Sequence, residues 1–240
     1  MIVSLLIVTL LSLTAPVQDA PPPAQEMVLD DFEQGREGGL PPGWVFLRDR
    51  DLKPLVPEFM LPHRKFYLAR EGNNQFVRAF TDSAPQHIMY RTDQPEQFEW
   101  DLEQMPVLKW SWRALQLPEG AREDKKNDSG AAVYVSFDRK DWMGRPHSLK
   151  YAYSTTLPVG TVVKTGNVRV LVVASGEDQG TGQWLHEERD VAADYRRIFG
   201  KKDAPRPVLI TLWSDSDDTE SIGEADFDNL RVAAQLGRPR

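Results

Sequence analysis

The sequence predicts an all-β fold, namely a jelly-roll β-sandwich of two antiparallel sheets with one short edge helix. Three observations support this prediction. Apolar and polar residues alternate in many short runs, as they do in strands that bury one face. Gly, Pro and Asp residues separate these runs and mark turns. Only one segment has the apolar spacing of a helix, so a sandwich is favoured over an alternating strand–helix sheet.

The strands can be placed in order along the chain. The run LKWSWR at 108–113 is the clearest, because Trp110 and Trp112 fall on one face and polar residues on the other. Residues 51–64 contain three prolines and are predicted to form a long surface loop. The predicted strands are 28–33, 44–47, 66–69, 76–80, 87–92, 108–113, 131–137, 149–153, 168–174, 208–213 and 225–232.

One helix is predicted over residues 190–199. Asp190 is a suitable N-cap because its side chain can accept a hydrogen bond from the first turn, and Gly200 is a suitable stop. One face of this helix is largely apolar, so we expect the helix to lie across the edge of the sandwich. The residues expected on that face are Val191, Asp194, Tyr195 and Ile198.

The N-terminal residues are typical of an export signal. Residues 2–13 form an apolar run of twelve, which is too short to span a bilayer, and small residues follow it. We expect residues 1–20 to be a signal peptide, although no Lys or Arg precedes the run. Residues 21–26 are then a linker, 27–234 a single β-sandwich domain and 235–240 a tail. The predicted location is periplasmic or secreted, with no membrane span in the mature protein.

The composition excludes several classes of function. The 240 residues include 29 Lys and Arg and 36 Asp and Glu, which gives a net charge of −7. This balance argues against a nucleic-acid partner or a general affinity for anionic membranes. The absence of cysteine excludes disulfides, thiolate metal sites and a Cys nucleophile. The four histidines form no zinc-binding pattern, and the sequence has no serine-hydrolase elbow or nucleotide-binding loop.

Two segments at the chain ends resemble a known architecture. They are LDDFEQG at 29–35 and ADFDNL at 225–230. Both resemble the first and last strands of jelly-roll carbohydrate-binding modules and galactose-binding-like domains. This resemblance implies a β-sandwich, often with a structural calcium ion and a glycan-binding surface.

A second set of residues lies in the middle and C-terminal parts of the chain. The set comprises Leu108-x-Trp110-x-Trp112-Arg113, Leu117-Pro118-x-Gly120-Ala121, Leu149-x-Tyr151, Ser175-Gly176, Trp184-x-x-Glu187-Glu188-Arg189-Asp190-Val191-x-x-Asp194-Tyr195, Phe199-Gly200 and Asp215-x-Asp217-Asp218-Thr219. It resembles DUF3047, an uncharacterised bacterial family. That resemblance implies no established activity, so it supplies no catalytic residues.

Acidic residues from the two chain ends form the first candidate metal site. If 28–33 is a strand, Asp31 and Glu33 lie on one side of it, and Asp228 joins them when the first and last strands are neighbours. Three carboxylates repel one another, and Ca²⁺, which prefers oxygen ligands, would offset that repulsion. The alternative is a solvated acidic edge with an arginine as its counter-charge.

The acidic segment DSDDTE at 215–220 is a weaker candidate calcium site. Its possible ligands are Asp215, Asp217 and Asp218. The segment lacks the central Gly and the distal Glu of an EF-hand loop. A polar turn in which Asp and Thr side chains cap backbone amides is an equally simple interpretation.

Polar residues on the non-core side of strands, together with loop tryptophans, form the candidate ligand-binding site. Planar charged groups can hold sugar hydroxyls in fixed geometry, and an exposed Trp can stack on a sugar ring. Cross-strand salt bridges would also explain the charged residues, and loop tryptophans can fold back over the core. Trp213, by contrast, is expected in the core. The ligand-binding candidates are Arg113, Trp142, Lys150, Trp184, Glu187 and Arg189.

These observations favour an exported, noncatalytic protein that binds carbohydrate or a cell-envelope glycan. One alternative is a polysaccharide hydrolase or lyase that uses Glu188, Arg189 and Asp215. Glu187 and Glu188 cannot form an acid/base pair with each other, because adjacent strand residues point to opposite faces. Another alternative is a periplasmic scaffold that contacts a protein through one face of the sandwich.

Overall fold

The computed structural model describes residues 25–94, 96, 98–125 and 128–237. The signal peptide predicted over 1–20 lies outside the described residues, as does most of the linker predicted over 21–26. Glu26, the last residue of that predicted linker, instead begins the first strand. Its carboxylate forms ion pairs with Lys109 and Arg231, so the folded domain begins at this residue or before it.

The described residues form strands, two α-helices and a short 3-10 helix. The elements are β1 (Glu26–Asp30), β2 (Val45–Arg48), β3 (Asp51–Pro54), the 3-10 helix (Pro57–Phe59), β4 (Arg64–Glu71), β5 (Asn74–Asp82), β6 (Gln86–Arg91), β7 (Asp93–Gln94), β8 (Phe98–Glu99), β9 (Val107–Gln116), β10 (Ser129–Lys140), β11 (Pro146–Ser154), β12 (Val162–Thr165), β13 (Val168–Ser175), α1 (Gly176–Gln179), β14 (Leu185–Asp190), α2 (Val191–Phe199), β15 (Pro207–Asp215) and β16 (Ile222–Ala233).

Two sheets pack face to face, which confirms the predicted β-sandwich. Sheet A has the strand order β14-β9-β16-β5-β4, and β1 also pairs with β16. Sheet B has the order β12-β13-β11-β10-β15-β6-β2-β3, and β7 and β8 form a separate ribbon. Among the described strands, β11 and β13 are the one parallel pair, so sheet B departs from the purely antiparallel arrangement at that position.

Aromatic side chains from both sheets fill the space between them. The ring of Trp110 in β9 lies 5.4 Å from that of Tyr151 in β11, and Trp112 lies 5.5 Å from Tyr153. All four side chains are buried. The alternation in residues 108–113 therefore predicts the buried face of this strand correctly.

Helix α2 closes one part of the core as predicted. Asp190 Oδ1 accepts a hydrogen bond from the backbone N–H of Ala193 at 2.7 Å, and Gly200 ends the helix with a φ of 64°. The Tyr195 ring packs 4.6 Å from Phe137 of β10, which anchors the helix to sheet B. The four residues expected on the inner face are all buried.

Three local predictions are wrong. The loop predicted over 51–64 contains β3 and the 3-10 helix. The strand predicted over 28–33 ends at Asp30, because Phe32 has a φ of 55° and cannot continue a strand. Trp213 is not in the core. Since Leu212 points inward, Trp213 lies on the outer side of sheet B, where its ring stacks on His87 at 4.7 Å.

Candidate functional site

The outer face of sheet A brings charged and aromatic side chains together from neighbouring strands. Because Trp112 is buried, the alternation along β9 directs Arg113 outward. The strand register then places Asp226 of β16 directly between Arg113 and Arg78 of β5. Trp184, just before β14, lies beside them. We call the following five residues the Arg113–Trp184 face: Phe76, Arg78, Arg113, Trp184 and Asp226.

Two arginines hold the buried carboxylate of Asp226. Arg78 donates from Nε to Oδ1 at 2.6 Å and from Nη2 to Oδ2 at 3.0 Å. Arg113 donates from Nε and Nη2 to Oδ2 at 3.0 and 2.7 Å. The hydrogen bonds from Arg78 to Asp226 raise the pKa of that guanidinium. Since Asp226 is fully buried, both guanidinium groups have fixed positions and orientations.

Aromatic rings lie against these guanidinium groups. The Arg113 guanidinium lies 4.8 Å from the centroid of the Trp184 ring, and those of Arg78 and Arg113 each lie 5.6 Å from the Phe76 ring. Trp184 and Phe76 meet edge to face at 5.4 Å. Phe76 is buried, whereas Trp184 is half-buried and remains accessible. The face therefore combines fixed planar donors with an accessible indole.

The outer surface of sheet A continues in both directions from these five residues. Toward β4, the Lys65 ammonium lies 5.2 Å from the Tyr67 ring. Toward the other end of β9 and β14, a hollow of about 290 Å³ contains a hydrogen bond of 2.8 Å between Ser111 Oγ and His186 Nδ1. Its lining is polar and includes Lys109, Glu188 and Arg231.

Glu187 and Arg189, expected on the outer side, lie on the inner side of β14. Glu187 pairs in register with Trp110, whose side chain is buried, and the Arg189 guanidinium donates to Asp194 at 2.8 Å. A cavity of about 150 Å³ lies beside both residues. Burial raises the pKa of Glu187 to about 7, and the charge of Arg189 offsets only part of this effect. These two residues are therefore separate from the Arg113–Trp184 face.

Lys150 lies on the outer side of the other sheet. It is fully buried in β11, opposite Tyr134 of β10, and its Nζ is 5.5 Å from the Tyr134 ring. Lys150 therefore belongs to sheet B, whereas Arg113 belongs to sheet A. The catalytic set considered from the sequence is likewise not assembled: Glu188 faces outward from sheet A, Arg189 faces inward, and Asp215 ends β15 of sheet B.

Trp142 does not fold back over the core. It lies in the turn between β10 and β11 and is 91% exposed, the highest value among the large apolar side chains described. Because this turn belongs to sheet B, Trp142 is not part of the Arg113–Trp184 face. Arg113 and Trp184 are thus the two predicted ligand residues that the structure brings together.

The acidic segment after β15 is organised as a capped turn. Asp128 accepts hydrogen bonds from the backbone N–H groups of Asp218 and Thr219 at 3.1 and 2.7 Å. Carboxylate oxygens of Asp128, Asp217 and Asp218 lie within 4.8 Å of one another, and no other such group occurs in the described part of the chain. Burial, followed by the charges of Asp217 and Asp128, raises the pKa of Asp215 to about 7. Calcium at this turn stays a prediction.

The carboxylates at the chain ends are arranged differently from the prediction. Asp31 and Glu33 follow β1 instead of lying within it, and Glu33 accepts a hydrogen bond from the backbone N–H of Gln75 at 2.8 Å. Asp228 accepts from Asn74 Nδ2 at 2.9 Å. Burial raises the pKa of Asp228 to about 6, and Glu33 and Asp31 add to this increase. Oxygens of these three residues do not all lie within 4.8 Å of one another in this arrangement, and calcium between the chain ends stays a prediction.

Sheet B carries a separate aromatic groove that the sequence did not reveal. Its volume is about 500 Å³, and its walls include Phe46, Phe59, His87 and Trp213. Burial and the nearby charge of Arg64 lower the pKa of His87 to about 4. This imidazole is therefore neutral near pH 7, and the groove is mainly apolar.

The chain folds as a two-sheet β-sandwich, and polar and aromatic side chains lie together on the outer face of sheet A. The sequence model of DUF3047, described as a protein of unknown function, matches residues 57–231. The chain belongs to the DUF3047 family, which confirms the resemblance noted in its sequence. A search of curated proteins finds no match. In the described part of the chain, no helix is long and apolar enough to cross a membrane.

Several solved structures are similar to this chain at low sequence identity. The family 11 carbohydrate-binding module of the cellulosomal cellulase Lic26A-Cel5E of Clostridium thermocellum is 11% identical with a TM-score of 0.44, over 90% of this chain and 99% of the module. A family 30 carbohydrate-binding module of the same organism is 10% identical with a TM-score of 0.40, over 73% and 88%. Trichoderma harzianum endoglucanase 3, from family GH12, is 10% identical with a TM-score of 0.36, over 90% and 99%.

Proposed function

We propose that the protein binds a carbohydrate chain or cell-envelope glycan, without catalysis, through the Arg113–Trp184 face. The observation that carries this proposal is the clamp in which Arg78 and Arg113 share the buried carboxylate of Asp226 beside the accessible indole of Trp184. Guanidinium groups donate several hydrogen bonds in one plane, which suits neighbouring sugar hydroxyls. An indole ring can cover the apolar side of a sugar.

The contacts of the carboxylates on this face favour binding over hydrolysis. Glycoside hydrolysis requires one carboxylic acid that can donate a proton and a second carboxylate at a defined separation. Asp226 is buried between two guanidinium groups, which remove its carboxylate from contact with a substrate. The nearest other carboxylates, Glu71 and Glu224, lie 2.9 Å from Arg113 and 3.7 Å from Arg78. Each of these two carboxylates therefore already has an arginine partner.

We also propose that the protein acts in the periplasm or outside the cell. This part of the proposal rests on the apolar run at 2–13 and on the nature of the ligand, since cell-envelope polysaccharides lie outside the cytoplasm. Its test is fractionation of cells that express the full chain, with N-terminal sequencing of the product. Recovery in the cytoplasmic fraction with residues 1–20 intact would contradict it.

The experiment for function mixes the purified protein with a panel of insoluble polysaccharides and peptidoglycan. Depletion of protein from the supernatant and release of reducing ends are measured together. We expect depletion by at least one polysaccharide without release of sugar ends. Release would show a hydrolase or lyase, and the absence of both signals would leave a protein-contacting scaffold as the better account.

A further inference from the structure

A second exposed feature lies on sheet B, at the turn that joins β10 to β11. Trp142 is 91% exposed and its neighbour Met143 is 50% exposed. Burying such side chains away from water stabilises a folded protein, so two adjacent exposed ones at one turn require an explanation. We call residues 141–145 the hairpin tip.

The hairpin tip is braced by hydrogen bonds. Asp141 Oδ1 accepts from the backbone N–H groups of Met143 and Arg145, each at 2.9 Å. Asp141 Oδ2 accepts from Arg145 Nη2 at 2.8 Å, and Asn167 Nδ2 donates to the carbonyl of Arg145 at 2.8 Å. The turn is therefore ordered before any partner binds, and it holds Trp142 outward.

Basic residues surround the hairpin tip, although the whole chain carries a net charge of −7. Arg139 and Lys140 precede the tip and are both exposed. Burial lowers the pKa of His147 in β11, and the nearby charges of Arg139, Arg169 and Lys201 lower it further. The region thus gathers cations from β10, β13 and the segment after α2.

The acidic groups close to the tip are partly compensated. Asp141 forms an ion pair with Arg145 within the turn. Asp138 lies 3.9 Å from Arg206. The ion-pair partners of these two carboxylates are thus Arg145 and Arg206, which leaves the charges of Arg139 and Lys140 available to an anionic partner.

We propose that the hairpin tip inserts into the headgroup region of an anionic lipid bilayer. Tryptophan is enriched at membrane–water interfaces because its ring is apolar and its N–H is polar, and methionine adds apolar surface beneath the headgroups. Basic side chains around such a wedge pair with lipid phosphates, and each one strengthens binding about fivefold. The contact is peripheral and independent of the glycan-binding face.

Vesicles with brominated acyl chains test this proposal, because bromine quenches a tryptophan only when the ring enters the bilayer. Full-length protein is mixed with vesicles of brominated anionic lipid or brominated zwitterionic lipid. We expect quenching with the anionic vesicles, and loss of that quenching in Trp142→Phe. The apolar run at 2–13 is present in both proteins, so the difference between them reports on the tip alone.

A pair of charge variants supplies the matched control. Arg139→Gln with Lys140→Gln should raise the concentration of anionic lipid needed for half-maximal quenching about 25-fold. Arg48→Gln with Lys53→Gln removes the same charge from exposed positions on β2 and β3 and should have little effect. The proposal would be overturned if Trp142→Phe were quenched as strongly as the wild-type protein, or if zwitterionic vesicles quenched as strongly as anionic ones. It would also be overturned if the two pairs of charge variants weakened quenching equally. Loss of polysaccharide binding in Trp142→Phe would assign the tip to a glycan instead.

Discussion

At the scale of single residues, Asp226 is the group on which the Arg113–Trp184 face depends. Replacing it by Asn removes the charge but keeps the shape, and leaves two guanidinium groups without their common partner. Breaking one side of a buried ion pair costs about 3 kcal/mol or more. We predict that Asp226→Asn lowers the free energy of unfolding by about 3 kcal/mol in urea denaturation. Glu26→Gln, which breaks more exposed pairs with Lys109 and Arg231, should cost less than about 1 kcal/mol.

Glu187 predicts a pH dependence of stability. Its pKa is raised from an ordinary value of 4.5 to about 7, so between these values the folded protein binds a proton that the unfolded chain has released. Stability therefore falls as the pH rises through this window, and the loss is complete above pH 7. A pKa difference of this size corresponds to about 3 kcal/mol. We predict that Glu187→Gln stabilises the protein at pH 8 and changes little at pH 4.

The neighbouring residue is the control for this prediction. Glu188 lies on the outer side of β14, 3.5 Å from Lys109, and Glu188→Gln should not reduce the loss of stability between pH 4 and pH 8. The measurement is urea denaturation of the three proteins at both pH values. Asp215 and Asp228 also have raised pKa values, so some pH dependence should remain in Glu187→Gln. Identical pH profiles for the two variants would contradict the assignment.

The composition of the face shows what the sequence can predict at this scale. Alternation in 108–113 and 225–232 predicts that Arg113 and Asp226 point away from the core. It does not predict that β16 lies between β9 and β5, because that neighbourhood depends on long-range pairing. Arg78 was missed for this reason. The sequence predicted the outward direction of these side chains but not the clamp that they form.

At the scale of elements, β14 is a strand that the sequence did not predict. Its sequence LHEERD is almost entirely polar, because its inner side carries Glu187 and Arg189 at the edge of the sandwich. A pattern search based on apolar alternation cannot detect such a strand. The α2 helix was predicted well because its cap, its stop and its buried face are all local signals.

The cap of α2 gives a prediction for this element. The hydrogen bond from the Ala193 N–H to Asp190 is lost in Asp190→Ala, which should lower the free energy of unfolding by about 1 kcal/mol. Asp178→Ala, an exposed change in α1, is the control and should be nearly neutral. Thermal unfolding measures both. An unchanged stability in Asp190→Ala would show that tertiary packing alone holds the helix.

The acidic turn after β15 gives a prediction for the calcium expected from the sequence. If Asp128, Asp217 and Asp218 share an ion, a chelator at low salt lowers the melting temperature of the wild-type protein. Asp217→Asn with Asp218→Asn should remove this dependence on chelator. If the chelator leaves the melting temperature of the wild-type protein unchanged, the turn holds no stabilising calcium, and its hydrogen bonds to Asp128 alone hold it.

At the scale of the whole molecule, the two proposed surfaces belong to different sheets. The Arg113–Trp184 face lies on sheet A, and the hairpin tip extends from sheet B. A net charge of −7 conceals this arrangement, because the average charge says nothing about the basic residues around Trp142. From the sequence alone, Trp142 and Trp184 are both predicted simply as loop tryptophans. Only the three-dimensional fold separates the indole of Trp142, which is 91% exposed, from that of Trp184, which packs on Arg113.

The measurement that tests glycan binding most directly is calorimetric titration with a soluble form of a polysaccharide that depletes the protein. Trp184→Ala removes the accessible ring while the Asp226 clamp remains, and Trp142→Ala is the matched control in the other sheet. We predict that Trp184→Ala weakens binding at least about tenfold and that Trp142→Ala changes it less than about twofold. Unchanged affinity in a folded Trp184→Ala protein would contradict the assignment of the ligand to this face.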